Sequence, residues 1–534
     1  MRDLVATRGP ASGWARLAHC VFFLILIIVT SFEAPLTEPT EDVFHEGEWT
    51  MYGVAGARVP SGQPPLLGFG GIDLIPAQMG AAVCRADGQI VCARVLIEVV
   101  TSICAAEFLV VLVLITGLGT IRALIESLPA IATLIAYNGT ARSPFALRTG
   151  SPNVRELFLL AILICLFLLF RDERQVSARI RYALAAAIGF LAGAGLFWIY
   201  DRGVFGVILT VGAIGGLSLL WRDWHPLACA AAGGLVGLGL AHVSGLYGDT
   251  WSHFQNMLYW VRHPEIFREI PDIDLIKVSA PVVPLFVILF FWAAFLIWRA
   301  PPATRLRLAL PLFTTMAVML FFTEVAYKRP IERYVTHVLW GISLLSATLI
   351  HRATRPPAGT SSLATMTAVS IGLSALCMLF NIRYLPPSLP QWASNLASNA
   401  RAMTGSWPRD GDLVPDGLRQ AAEIIRARSP ACTYTFSNEG LLYVLANTPP
   451  CSRFAYPLYI SADNQTEVIS EFERSAPPIV LWTSPSWANA ILGRGLTRRT
   501  PVLAAWVAVQ YPYRMTLADG YILGAREPLE GAPK

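Results

Sequence analysis

The chain has 534 residues and a formal net charge of +5; 54% of it is hydrophobic, only 14% is charged, and the mean hydropathy is +0.52. Water-soluble globular proteins rarely have that balance. The arginines lie mostly in short loops between apolar runs, which is a pattern of membrane topology and excludes a nucleic-acid-binding surface.

In chain order, the first apolar run is Val21 to Ser31, extended back to Trp14 and preceded by Arg2, Arg8 and Arg16. Its outline is that of a signal peptide, but no small-x-small cleavage site follows it and many further spans do, so it reads as retained. A polar stretch rich in Pro and Gly then runs from Glu33 to Arg94. Loops of that length usually carry function or their own structure. Further apolar runs fall at 95–116, 121–137, 154–170, 182–200, 204–221, 227–247, 277–298, 308–323, 334–350 and 362–382. Each is close to the length a helix needs to cross about 30 Å of hydrocarbon.

With the amino terminus inside, alternation puts Arg171, Arg174, Arg179 and Arg181 in one inner loop, Arg299, Arg305 and Arg307 in a second, and Arg352 and Arg355 in a third. That agrees with the positive-inside rule. The long first loop, the segment 248–276 and everything beyond about 383 then lie outside.

The tail changes character. It opens with Pro386, Pro387 and Pro390, continues with the helix-like DGLRQAAEIIRARS, and contains the strand-like pieces TYTFS, PPIVLW and YILGA. The expected fold is an α-helical polytopic membrane protein of about eleven transmembrane helices over residues 1–382, with a C-terminal extracytoplasmic α/β domain over 383–534. Cys84 with Cys92, and Cys432 with Cys451, are spaced to form disulfides on the outer side. Cys20, Cys104, Cys165, Cys229 and Cys377 lie in or beside apolar runs and read as small packed hydrophobes.

The densest chemistry is EDVFHEGEW, residues 41–49, about ten residues past the first span. Glu41, Asp42, His45, Glu46 and Glu48 crowd it. A general base held just above a membrane suits a lipid-borne substrate whose reactive head sits there. A solvated acidic loop is the bland alternative. A divalent cation held by His45, Glu46 and Glu48 is another, ranked lower because no second ligand cluster completes it. No CxxC pair, phosphate-binding glycine loop or serine elbow is present.

A first span, an acidic pair with an HEGE-like motif opening a long outer loop, many further spans and an outer C-terminal domain together resemble the GT-C superfamily of membrane glycosyltransferases, relatives of the protein mannosyltransferases and aminoarabinose transferases. GFGGIDLIPAQMGA (68–81, containing Asp73), YDRGVF (200–205), YKRPIERYVTH (327–337), NEGLLYVLANTPPCSRF (438–454) and the following QTEVISEFERSAPPIVLW carry the same resemblance. It implies an enzyme of the bacterial inner membrane that moves a sugar from a polyprenyl-phosphate donor to an envelope glycan, lipid or protein on the outer face. It further implies a carboxylate in the first outer loop as base, Asp42 or Glu41, with His45, Glu46, Glu48 and Asp73 near the substrate.

The departing phosphate needs cations. Lys328, Arg329 and Arg333, with His337 beside them, are the candidates; anchoring a helix end by snorkelling is their alternative role. Asp201 and Arg202 read either as substrate contacts or as a local ion pair at a tight turn by Gly203. Segment 249–276, with Phe254, Leu258 and Tyr259 among His253, Arg262, His263 and Arg268, reads as an amphipathic surface segment. Glu107 and Glu126, inside apolar runs, must face a partner or a cavity. They keep open a transporter or flippase of lipid-linked sugars; a non-catalytic envelope-assembly protein is a further alternative.

Overall fold

The computed structural model describes residues 13–30, 36, 37, 39, 88–136, 154–171, 176–243, scattered positions from 254 to 266, 282–328, 332–353, 363–380, 389–404, 407–485 and 495–529. Every apolar run of the sequence coincides with a helix: α1 (Gly13–Thr30), α2 (Gln89–Thr116), α3 (Ile121–Ala136), α4 (Leu157–Arg171), α5 (Ala178–Trp198), α6 (Tyr200–Trp221), α7 (His225–Val243), α8 (Val282–Arg299), α9 (Pro302–Lys328), α10 (Glu332–Ala353) and α11 (Leu363–Phe380). Among the described residues, five segments are long and apolar enough to cross a membrane: Ile90–Thr116, Ala178–Trp198, Tyr200–Trp221, His225–Val243 and Thr304–Thr323. Gly13–Ile27, Leu157–Phe170 and Pro284–Arg299 are shorter apolar helices.

Small residues set the tightest packing. α5 and α7 approach so closely that a Cβ added at Gly189 would stand 1.8 Å from the Ala230 carbonyl oxygen, and one at Gly233 would stand 2.0 Å from that of Ala186. Between helices in lipid, burial of apolar surface gives no drive, so close backbone contact through Gly and Ala holds such a pair. The other face of α7 exposes Leu235, Val236, Leu240 and Val243, a surface suited to hydrocarbon and not to water.

After the bundle come α12 (Leu389–Thr404), a 3-10 turn (Asp410–Leu413), α13 (Asp416–Ala427), α14 (Leu441–Ala446), α15 (Gln465–Ser475), α16 (Leu496–Arg499) and α17 (Pro501–Gln510). They surround an antiparallel sheet of β1 (Ile479–Thr483), β2 (Tyr513–Thr516) and β3 (Ile522–Ala525) in the order β1-β3-β2. Ile479 lies opposite Ala525, and so does Tyr513.

Two of the three expected strand-like pieces, PPIVLW and YILGA, supply β1 and β3. TYTFS does not form a strand; it makes only isolated parallel bridges, Thr433 to Pro450 and Thr435 to Leu481. The reason is local: Thr435 Oγ1 accepts hydrogen bonds from Ser437 N at 3.3 Å and Glu439 N at 3.1 Å, which turns the chain toward α14. Such side-chain bonds compete with a ladder. Cys432 and Cys451 form a disulfide with Cα atoms 5.0 Å apart. Cys92 is also disulfide-bonded; Cys84 lies outside the described residues. Cys20, Cys104, Cys165 and Cys229 are free thiols.

Candidate functional site

Buried charge gathers at one end of the bundle. α5 ends at Trp198 and α6 starts at Tyr200, so the chain reverses at Ile199 in a single residue. Gly203 makes this reversal possible, since a Cβ there would stand 2.5 Å from both the Gly195 carbonyl oxygen and the Leu196 Cα. Asp201 and Arg202 sit on this corner. Arg202 is 4% exposed. Its backbone N donates to Asp201 Oδ1 at 2.8 Å, its Nη1 donates to Asp201 Oδ2, and its Nε donates to Glu156 Oε1 at 3.2 Å. Phe321 and Phe322 of α9 flank the guanidinium, with centroids 5.7 and 5.6 Å away. Phe205 stacks on Phe321 and Phe322 packs on Trp340, each pair at 4.3 Å.

Arg202 therefore does more than close a local turn: it ties α6 to the start of α4 and to α9. A buried cation is held only where carboxylates and aromatic faces replace its water. Arg94, Glu98 and Arg155 are likewise buried, and α2 packs against the Val154–Glu156 turn.

A second set of contacts ties the long first loop to this end. Arg94 Nη1 donates to the Leu36 carbonyl oxygen at 2.6 Å, and Leu36 N donates to Asn399 Oδ1 of α12 at 2.8 Å. Ile90 N, one of the unpaired amides in the first turn of α2, donates to Asp410 Oδ1 at 2.9 Å. Gly88, at φ 96°, caps the helix in the left-handed region, against Trp407. Loop, α2, α12 and the Asp410 turn thus meet at one junction. Leu36 is six residues before Asp42 in the chain.

Of the residues singled out in the sequence, Asp201 and Arg202 are placed in full: buried Arg202 joins half-buried Asp201 to buried Glu156 in one cluster. Lys328 is the last residue of α9, and Arg333 and His337 lie in the first turns of α10. Phe322 precedes Lys328 by six residues, about 9 Å of helical rise, so the end of α9 lies toward the Arg202 end of the bundle. Glu41, Asp42, His45, Glu46, Glu48, Asp73 and Arg329 lie outside the described residues. Among the described residues no group of three His, Cys, Asp or Glu is placed to hold a metal ion.

No family profile and no curated protein sequence matches the chain. Among solved structures it is similar to ArnT from Cupriavidus metallidurans bound to undecaprenyl phosphate, at 12% identity and a TM-score of 0.49, over 98% of this chain and 100% of that one. The apo state of the same protein aligns at 13% identity and a TM-score of 0.46, with the same coverage.

The opposite end of the bundle is organised differently. Glu126 accepts a hydrogen bond from Arg122 Nε at 2.8 Å and lies 2.7 Å from His351 Nδ1, which joins α3 to the end of α10. The expectation that Glu126 faces a partner is met. Arg181 lies over Trp221 at 4.8 Å, and Tyr182 Oη donates to Asp223 Oδ2 at 2.8 Å. Glu107 Oε2 is buried without a hydrogen-bond partner among the described residues.

Glu156, Arg94, Asn399 and Asp410 were not singled out in the sequence. A signal existed for the first two: both are charges at the margin of an apolar run, on the same side as Arg202 by alternation. Asn399 and Asp410 carried none, because their partners are backbone groups more than 300 residues away.

Proposed function

We propose that the chain is a membrane glycosyltransferase that moves a sugar from a polyprenyl-phosphate donor to an acceptor hydroxyl at the Arg202 end of the bundle. The observation that carries this reading is the convergence there of three features. They are the anchored Leu36, six residues before Asp42, the buried Arg202–Glu156 pair, and the helix ends that carry Lys328 (α9) and Arg333 (α10).

Asp42, or Glu41 beside it, takes the proton of the acceptor hydroxyl. The acceptor oxygen forms its bond to the anomeric carbon as the bond from that carbon to the phosphate oxygen breaks. Lys328, Arg329 and Arg333 stabilise the charge that develops on the departing polyprenyl phosphate, with His337 beside them. His45, Glu46, Glu48 and Asp73 contribute polar contacts to the sugars. The enzyme lies in the bacterial inner membrane with residues 383–534 on the outer side, where an envelope glycan, lipid or protein is the acceptor.

The test is envelope-glycan mass spectrometry on cells carrying wild type, a deletion, Asp42→Asn or Glu41→Gln at matched abundance. Loss of the same sugar in the deletion and in one carboxylate variant is expected, with activity down about two to four orders of magnitude. A normal glycan in both variants with an altered one in the deletion overturns the reading in favour of transport or scaffolding.

A further inference from the structure

We propose that the cleft between the Asp410–Leu413 turn, α13 and α14 binds the hydroxyl-rich saccharide portion of the acceptor, an inference that rests on the transferase reading above. The cleft has a volume of about 930 Å³, at the upper end of what small-molecule sites offer. One helix builds its wall. Arg419, Ala422, Glu423 and Arg426 line it at i, i+3, i+4 and i+7 along α13, while Leu418, Ala421 and Ile425 on the other side of the helix are buried.

The chemistry selects the ligand class. The lining includes three guanidinium groups, Arg409, Arg419 and Arg426, and three carboxylates, Asp410, Asp412 and Glu423. The charges balance, so a phosphate would meet as many carboxylates as cations. A sugar ring, whose hydroxyls both donate and accept, can use both. Ser429, Asn447 and Thr448 add neutral partners, and the apolar lining is limited to Ala422, Pro430, Val444, Leu445 and Ala446, interspersed with the charged groups and too little for a lipid tail.

Two of the arginines are held in place. Arg419 pairs with Asp416 at 2.5 Å, and Arg426 Nη2 donates to the Leu445 carbonyl oxygen of α14. Asp410 connects the cleft to the catalytic end, because the same carboxylate accepts from Ile90 N at the start of α2. A saccharide bound here lies beside the junction from which the acidic loop departs.

Saturation-transfer NMR on the full-length protein in nanodiscs tests this. The probe is a neutral oligosaccharide released by mild acid from the delipidated envelope of the source cells, with inorganic pyrophosphate as competitor. Saturation of the sugar resonances is expected, with affinity lowered about tenfold or more in Arg419→Ala and in Glu423→Ala, as for a lost hydrogen bond to a charged group, and no displacement by pyrophosphate. Both positions are at the helix surface, and Glu423→Gln supplies an isosteric variant expected to weaken binding less. No saturation with wild type, unchanged affinity in both alanine variants, or displacement by pyrophosphate overturns the proposal. Asp42→Asn and Glu41→Gln separate the two readings: both are expected to bind the sugar normally, while in one of them transfer is about two to four orders of magnitude slower. If both transfer normally, the base assignment fails and the binding data still decide the cleft.

Discussion

Arg202 and Glu156, 46 residues apart in sequence, form an ion pair at 3.2 Å in which the two side chains are 4% and 0% exposed. Removing Arg202 takes from the fully buried Glu156 carboxylate the cation that faces it. Arg202→Met is therefore expected to lower stability by about 3–5 kcal/mol, read as a fall in the unfolding midpoint of the purified protein. The double variant Arg202→Met/Glu156→Gln should recover part of that loss. A double variant no more stable than the single one would show that Glu156 is held by other groups and not by Arg202.

The α5–α7 contact gives an independent prediction. Gly189→Ala would put a methyl group into the Ala230 backbone, whereas a Cβ at Gly212 of α6 meets nothing within 4 Å. Overpacking of this kind costs about 1–3 kcal/mol. Gly189→Ala should lower the thermal midpoint and the yield of folded protein, and Gly212→Ala should leave both unchanged or slightly improved by helix propensity. Equal effects at the two positions would refute the close approach.

How much of this was legible in the sequence follows from the range of each interaction. Hydrophobic runs are local, and each of them reappears as a helix. α2 starts at Gln89 and not at the apolar edge near 95 because Asp410, 320 residues on, accepts from Ile90 N. The Asp201–Arg202 pair was visible because its partners are adjacent; Glu156 stood out only as a charge at the margin of an apolar run, and its pairing with Arg202 was not legible because only packing brings α4 against α6. TYTFS alternates as a strand should, yet the Thr435 side chain takes two backbone amides and ends the extension. Likewise β2 (YRMT) has no buried face to give an alternating signal: its end residues are exposed and its middle pair half-buried.

Glu471 gives a pH dependence with a definite sign. Burial pushes its carboxyl above the ordinary range, partly opposed by a hydrogen bond donated by Ser452 Oγ. The folded state thus holds this proton more tightly than the unfolded chain does. The stability it contributes is full below the unfolded value, about 4.3, and is lost as pH rises through the higher folded value. Glu471→Gln keeps an acceptor for Ser452 and removes the charge, so it should raise protection of α15 and β1 near neutral pH and flatten the profile above pH 4. Hydrogen exchange, corrected for the intrinsic pH dependence, reads both. A variant less protected than wild type at pH 7 would mean that the ionised carboxylate is stabilising.

Tyr259 fixes which elements share a side of the membrane. Its hydroxyl donates to the Tyr459 carbonyl oxygen at 2.7 Å and accepts from Ser461 N at 3.2 Å, and its ring packs on Phe454 at 5.6 Å. Tyr259, which follows α7 in the chain, is therefore docked on the 454–461 stretch of the C-terminal region, so the two lie on one side. Trp224, between α6 and α7, is exposed at the opposite end, next to the cluster of Tyr182, Asp223 and His225. In a background with Cys20 and Cys229 replaced by Ala, Asp463→Cys should react with an impermeant maleimide in cells whose outer membrane is permeabilised. Trp224→Cys should react only after the inner membrane is opened. The reverse pattern would put the C-terminal region in the cytoplasm and remove the acceptor side proposed for the reaction. Equal labelling of both in intact inner membranes would mean that an odd number of helices between Trp224 and Asp463 does not cross, and the helices outside the five long apolar ones are where that shortfall would fall.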